Sequence, residues 1–88
     1  MPKVEWEDYS WVMRGSQRRK VMKALNKPKL PTELKAETKM SLTNVSKVLK
    51  SFEKRGLVKC LTPHLKTGKI YELTERGKKI RKEMVREG

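Results

Sequence analysis

The stretch "SLTNVSKVLKSFEKRGLV", residues 41–58, constrains the fold more than any other part of the chain. Val45, Leu49 and Phe52 recur at i, i+4 and i+7, and Val48 widens the stripe, so a helix here must bury one face in a core. Ser41 is placed to cap it, its hydroxyl facing the amide of residue 43 or 44. Gly56 is placed to end it in the left-handed conformation, with Leu57 closing over the last turn. The opposite face displays Thr43, Asn44, Ser46, Lys47, Lys50 and Lys54, which puts hydrogen-bonding groups at the helix start and cations further along.

A second short helix, "PTELKAETK", comes just before, with Pro31 at its first position, where a missing N–H has no intrahelical partner to lose. Lys39 and Met40 supply the turn between the two. Such a pair has the layout of a helix-turn-helix, although an ordinary surface helix of a small bundle fits these residues equally well. The next segment breaks the tie. "LVKCLT" and "KIYELT" have strand propensity and flank "PHLKTG", in which Pro63 stops ladder pairing and Gly68 permits a positive φ. They predict a hairpin with a six-residue cationic tip, with Val58, Cys60, Tyr71 and Leu73 facing inward and Leu30 adding one extended residue beside it.

Thr74 is placed to cap a last helix over 74–87, in which Ile80 and Met84 continue the inward stripe and Gly77 allows close approach. Upstream, Ser16 is a good N-cap for "QRRKVMKAL", where Val21, Met22 and Leu25 predict a helix over about 16–26, ended by "NKPK". Residues 1–9 lack a clear period and read as an arm, and "SWVMRG" from Ser10 can form a short helical turn. The fold class is α+β: one domain over 1–88, with a three-helix core, a two-stranded hairpin and a C-terminal helix.

Charge indicates a partner. The 88 residues carry 23 Lys and Arg against 10 Asp and Glu, a formal charge of +13, which favours a polyanion, nucleic acid before an anionic membrane surface. The field is uneven. Seven basic residues and no acid fall between Arg14 and Lys29, whereas Glu5, Glu7 and Asp8 precede them. No apolar run is long enough for a bilayer span and no signal sequence opens the chain, so a cytoplasmic, nucleoid-associated protein is expected.

Catalysis and metal binding find little support. Cys60 is the only cysteine and sits among apolar residues, and with His64 it offers two ligands where a structural zinc site wants four and a sensor at least three. No Ser-His-Asp, Cys-His, carboxylate-pair or phosphate-loop arrangement is present, so neither an enzyme nor a cofactor is expected.

At residues 30–80 the chain resembles the winged helix-turn-helix transcription regulators, particularly small archaeal members with an ArsR- or MarR-like core. The resemblance is carried by "PTEL", by "S-x-x-x-V-S-x-x-L-x-x-F-E-K-x-G-L-V", and by "G-K-I-Y-x-L-T-E-x-G"; "SQRRKVMKAL" is similar to the family's first core helix. It implies sequence-selective binding of double-stranded DNA, with a recognition helix 41–55 in the major groove and a wing 57–74 on flanking backbone or minor groove. Carried onto this sequence, Thr43, Asn44, Ser46, Lys47 and Lys50 are the helix contacts, His64, Lys66, Thr67 and Lys69 the wing contacts, and Thr32 and Lys35 the phosphate contacts. Three positions depart from the pattern: Lys39 where the turn often has Gly, Thr38 where an apolar residue is usual, and Lys35 where a packed Ala is common.

Two other functions fit a chain of this kind: a winged-helix module for protein contact, whose recognition face would be acidic or apolar, and a nucleoid or RNA-binding protein with little sequence preference. A homodimer is expected, because one reading head covers too few base pairs to select a site. Trp6, Tyr9, Trp11, Val12, Ile80, Met84 and Val85 are the residues available to join two copies. With no second domain and no thiol pair, any effector must act through that interface or a partner protein.

Overall fold

The structure, a computed structural model, describes residues 6–87. Its elements are α1 (Trp6–Met13), α2 (Ser16–Ala24), α3 (Pro31–Thr38), α4 (Leu42–Lys54), β1 (Val58–Cys60), β2 (Tyr71–Leu73) and α5 (Glu75–Glu87). The expected order of three helices, hairpin and helix is present, with an additional helix in front. That helix begins at Trp6, four residues before the turn expected from Ser10, while residues 1–5 of the expected arm lie outside the described residues.

Local chemistry accounts for most helix ends. The Ser41 hydroxyl accepts from the Asn44 amide at 3.2 Å. At the other end of α4, Gly56 takes φ 74°, its amide reaches the Glu53 carbonyl at 3.0 Å, and the Leu57 amide reaches that of Phe52 at 2.8 Å. That paired closure satisfies the carbonyls that a helix leaves orphaned at its C-terminus. Thr74 caps α5 by accepting from the Gly77 amide at 3.2 Å, and it donates to the Gly56 carbonyl at 2.6 Å. Glu33 accepts from the Leu30 amide at 2.9 Å at the start of α3.

Four expectations are corrected. Ser16 is the first residue of α2 rather than its cap; Gly15 holds the cap position with no side-chain bond, and the helix ends at Ala24, two residues short of 26. The strands are three residues each, so the connection spans 61–70 instead of six residues. One further ladder bond, Leu61 amide to Ile70 carbonyl at 2.7 Å, precedes Thr62, whose hydroxyl then takes over the Ile70 amide at 3.1 Å. The extended residue beside the hairpin is Lys29, one before Leu30: its amide and carbonyl each bond to Tyr71 at 2.9 Å.

β1 and β2 pair antiparallel in the register Val58↔Leu73 and Cys60↔Tyr71, which puts these four side chains on one face; Val58 and Leu73 are buried and the other two half-buried. Burial pushes the Tyr71 phenol above its ordinary range, helped by Cys60 and Glu53. One apolar cluster joins all five helices and both strands, with Val12, Met22, Leu34, Leu49, Phe52 and Ile80 fully enclosed. Each such side chain contributes about 1.5–3 kcal/mol by leaving water. Among the described residues, no helix is long and apolar enough to cross a membrane.

The core absorbs most of the apolar residues set aside for a second copy. Tyr9, Val12, Ile80 and Met84 all belong to it. Trp11 packs edge-on against Phe52 and lies between two guanidinium groups, Arg18 at 4.2 Å and Arg55 at 4.1 Å from its ring centre. Only Trp6 and Val85 stay largely exposed, at 66% and 50%. Asp8, 5% exposed, stands 2.9 Å from both Arg55 and Arg76, and so ties α1 to the end of α4 and the start of α5.

Lys39 takes φ 60° and ψ 26° at the end of α3, the left-handed region where a side chain with a Cβ costs about 1–2 kcal/mol. Lys39→Gly is therefore expected to stabilise the fold by about 1 kcal/mol, after allowance for the added freedom of the unfolded chain. The urea midpoint reads this directly.

Candidate nucleic-acid interface

The turn between α3 and α4 is built from two unusual residues. Lys39 provides the left-handed step, its amide bonding to the Lys35 carbonyl at 2.9 Å. Thr38 is buried where an apolar side chain was expected. Its hydroxyl donates to the Leu34 carbonyl at 2.6 Å and accepts from the Met40 amide at 3.3 Å, so its polarity is satisfied within the turn and the position needs no apolar residue.

From this turn α4 projects one polar stripe. Thr43, Lys47, Lys50 and Lys54 recur at i, i+4, i+7 and i+11, and all four are exposed, while Val45, Val48, Leu49 and Phe52 are buried on the other side. Of the five residues expected to make helix contacts, Thr43, Lys47 and Lys50 lie on this stripe, and Asn44 and Ser46 flank it half-buried. Lys54 completes the stripe but is missing from the expected contact set, although its spacing was visible in the sequence. Thr32 and Lys35 are exposed on α3.

The loop 61–70 holds the second group. His64, Lys66 and Thr67 are exposed and Lys69 is half-buried. Gly68 turns the chain at φ 72°, and Thr62 pins the base of the loop. Leu61 and Leu65 are also exposed there, giving the tip two apolar contacts that its basic residues did not suggest.

The basic run from Arg14 to Lys29 is less available than its charge implies. Arg18 donates to the Trp11 carbonyl at 2.7 Å and Arg19 donates to that of Met13, which places two guanidinium groups on the carbonyl end of α1, where the helix dipole favours cations. Lys29 is only 4% exposed, and its ammonium sits 2.6 Å from Glu37 in the last turn of α3. Because the same residue pairs by its backbone with Tyr71, one lysine connects the hairpin to the helix that leads into the turn. Among the described residues, no group of three or more His, Cys, Asp or Glu side chains is placed to hold a metal ion.

No protein-family model matches the chain, and no curated protein sequence matches it. Solved structures do. The chain superposes on TubR bound to 24 bp of tubC, from Bacillus thuringiensis serovar israelensis pBtoxis, with TM-score 0.78 at 16% identity, over 100% of this chain and 98% of that one. It superposes on MarR from E. coli in its reduced form with TM-score 0.73 at 25% identity, over 88% of this chain and 59% of that one. The fold is a winged helix-turn-helix. BpsR from Bordetella bronchiseptica gives TM-score 0.75 at 16% identity, covering 92% of this chain and 70% of that one.

In the winged helix, α3 and α4 are the helix-turn-helix and β1–β2 with the loop 61–70 form the wing. The architecture is MarR-like, but this chain spans little more than half the length of the MarR protein it matches. The expected fold class is therefore found, together with the close approach at Gly77 and the inward stripe of α5.

Proposed function

We propose that this chain is a DNA-binding transcription regulator that reads double-stranded DNA in a sequence-selective way, without enzymatic activity, as a single domain over 1–88. The observation that carries this is the exposed stripe of Thr43, Lys47, Lys50 and Lys54 on the second helix of a helix-turn-helix. A helix in the major groove needs short donors and acceptors near its N-terminus to meet base edges and cations to meet phosphates, and this stripe supplies both in that order. An acidic or apolar face, as a protein-contact module would show, is absent from it. The structural likeness to TubR, a protein seen bound to DNA, supports the same conclusion.

In this proposal Thr43, Asn44, Ser46, Lys47 and Lys50, with Lys54 added, contact DNA from α4. His64, Lys66, Thr67 and Lys69 contact flanking backbone or minor groove from the wing, and Thr32 and Lys35 contact phosphates. The regulator works as a homodimer in the cytoplasm, on the nucleoid.

Helix and wing variants test the division of labour. Lys47→Ala or Asn44→Ala is expected to cost about 1–3 kcal/mol on the preferred site and to relax preference at one position. Lys66→Ala is expected to weaken preferred and scrambled DNA alike. Sites selected from random DNA supply the preferred sequence, and gel-shift titrations on matched and scrambled duplexes supply the affinities. Equal behaviour of the two classes of variant on both duplexes would overturn the assignment, and equal competition by unrelated DNA would favour a nucleoid protein of low specificity.

A further inference from the structure

Five large apolar residues stay exposed among those described, and three of them, Leu42, Leu61 and Leu65, lie on α4 or in the wing loop. The proposed DNA face is therefore not uniformly polar. Leu42 continues the buried stripe of its helix, preceding Val45, Leu49 and Phe52 at i, i+3, i+7 and i+10, yet it is 43% exposed where those three are enclosed. The first turn of α4 outruns the core. Because Cα–Cβ bonds tilt toward the N-terminus of a helix, a side chain at its first position projects ahead of the helix end.

The surroundings of Leu42 select its partner. No acid occurs between Glu37 and Glu53, a stretch that carries Lys39, Lys47 and Lys50, so this turn favours a polyanion over an acidic or neutral protein surface. On either side of Leu42, the Ser41 hydroxyl is committed to the Asn44 amide at 3.2 Å, and Thr43 opens the exposed polar stripe. Leucine itself offers neither donor nor acceptor. Among the groups that base pairs present in the major groove, the methyl of thymine is the apolar one. A leucine pressed on a guanine or cytosine edge would instead strip water from polar groups without replacing the lost hydrogen bonds. The minor groove carries no such methyl, so the argument does not extend to Leu61 and Leu65 of the wing.

We infer that Leu42 is a specificity-determining residue that packs on the methyl group of one thymine in the major groove. The inference rests on the reading helix of the proposed function and names a base that it selects. The preference is for thymine over a pyrimidine without the methyl.

Gel-shift titration of the full chain on its selected site tests this, with each thymine replaced in turn by deoxyuridine, which removes the methyl and keeps the base pair. At one position the wild-type chain is expected to lose about fourfold in affinity, the effect of returning one methyl group to water. Leu42→Ala and Leu42→Gln, both at an exposed position and checked for unchanged helical circular dichroism, are expected to bind the thymine and deoxyuridine duplexes alike. Leu42→Gln keeps the length of the side chain, so its indifference would separate apolar contact from the filling of space. A wild-type chain indifferent to every replacement, or a sensitivity that both variants retain, overturns the inference and leaves the regulator standing. A wild-type chain that binds no duplex overturns both.

Discussion

Raising the salt concentration from 50 to 200 mM is expected to lower the affinity of this chain for double-stranded DNA by about three to five decades. Each phosphate neutralised by a lysine or arginine releases condensed counterions, so the logarithm of affinity falls with that of salt by about 0.9 per contact. The formal charge of +13 would overstate the number of contacts, because Arg18 and Arg19 are engaged at the end of α1, Lys29 is buried against Glu37, and Arg55 and Arg76 hold Asp8. The cations left on the proposed DNA face are Lys35, Lys47, Lys50, Lys54, Lys66 and Lys69. A dimer using most of them makes on the order of 6–10 contacts, which sets the expected range. Fluorescence anisotropy across a salt series measures the slope, and a flat response would remove nucleic acid as the partner.

Gly77→Ala is expected to destabilise the fold by about 3 kcal/mol. On an open helix face the same change would help, by about 1 kcal/mol, since alanine is the better helix former. At Gly77 an added Cβ falls 2.1 Å from the Leu57 carbonyl oxygen and 3.0 Å from a Leu73 methyl. Neither can retreat cheaply. The Leu57 carbonyl accepts from the Thr74 amide at 3.0 Å, and Leu73 is buried in the strand that pairs with β1. The variant must therefore push α5 off the sheet or break the joint between α4, the hairpin and α5. A chain of this length holds about 4–13 kcal/mol in all, so the urea midpoint should fall by a large fraction. A rise in the midpoint would show that α5 packs elsewhere.

Both expectations depend on a fold that was largely legible along the chain. Ser41, Gly56 and Thr74 act as their types predict because a cap or a left-handed turn involves only residues a few positions away. The stripe Val45, Leu49, Phe52 and its opposite, Thr43, Lys47, Lys50, follow from one helical period, so a buried face and a candidate reading face emerge from the same spacing. Lys54 belonged to that period as well. The strands were harder: "LVKCLT" and "KIYELT" have the propensity for six residues each, but Thr62 takes over a ladder amide with its hydroxyl and the paired segments stop at three.

The sequence by itself determined the order of elements from α2 onward, the caps of α4 and α5, and which side of α4 faces out, because each of these is an interaction between near neighbours or a repeat with a fixed period. The tertiary structure alone decided where individual charges and aromatic rings are used. Asp8 meets Arg55 from 47 positions away, Trp11 is held between Arg18 and Arg55, and Lys29 is buried because α3 and β2 both converge on it. Nothing in the spacing of a lysine or an arginine distinguishes one that will meet phosphate from one that will close a helix end or balance a buried acid. That difference is set by which surfaces the core brings together, and it leaves Trp6 outside while drawing Tyr9, Val12, Ile80 and Met84 in.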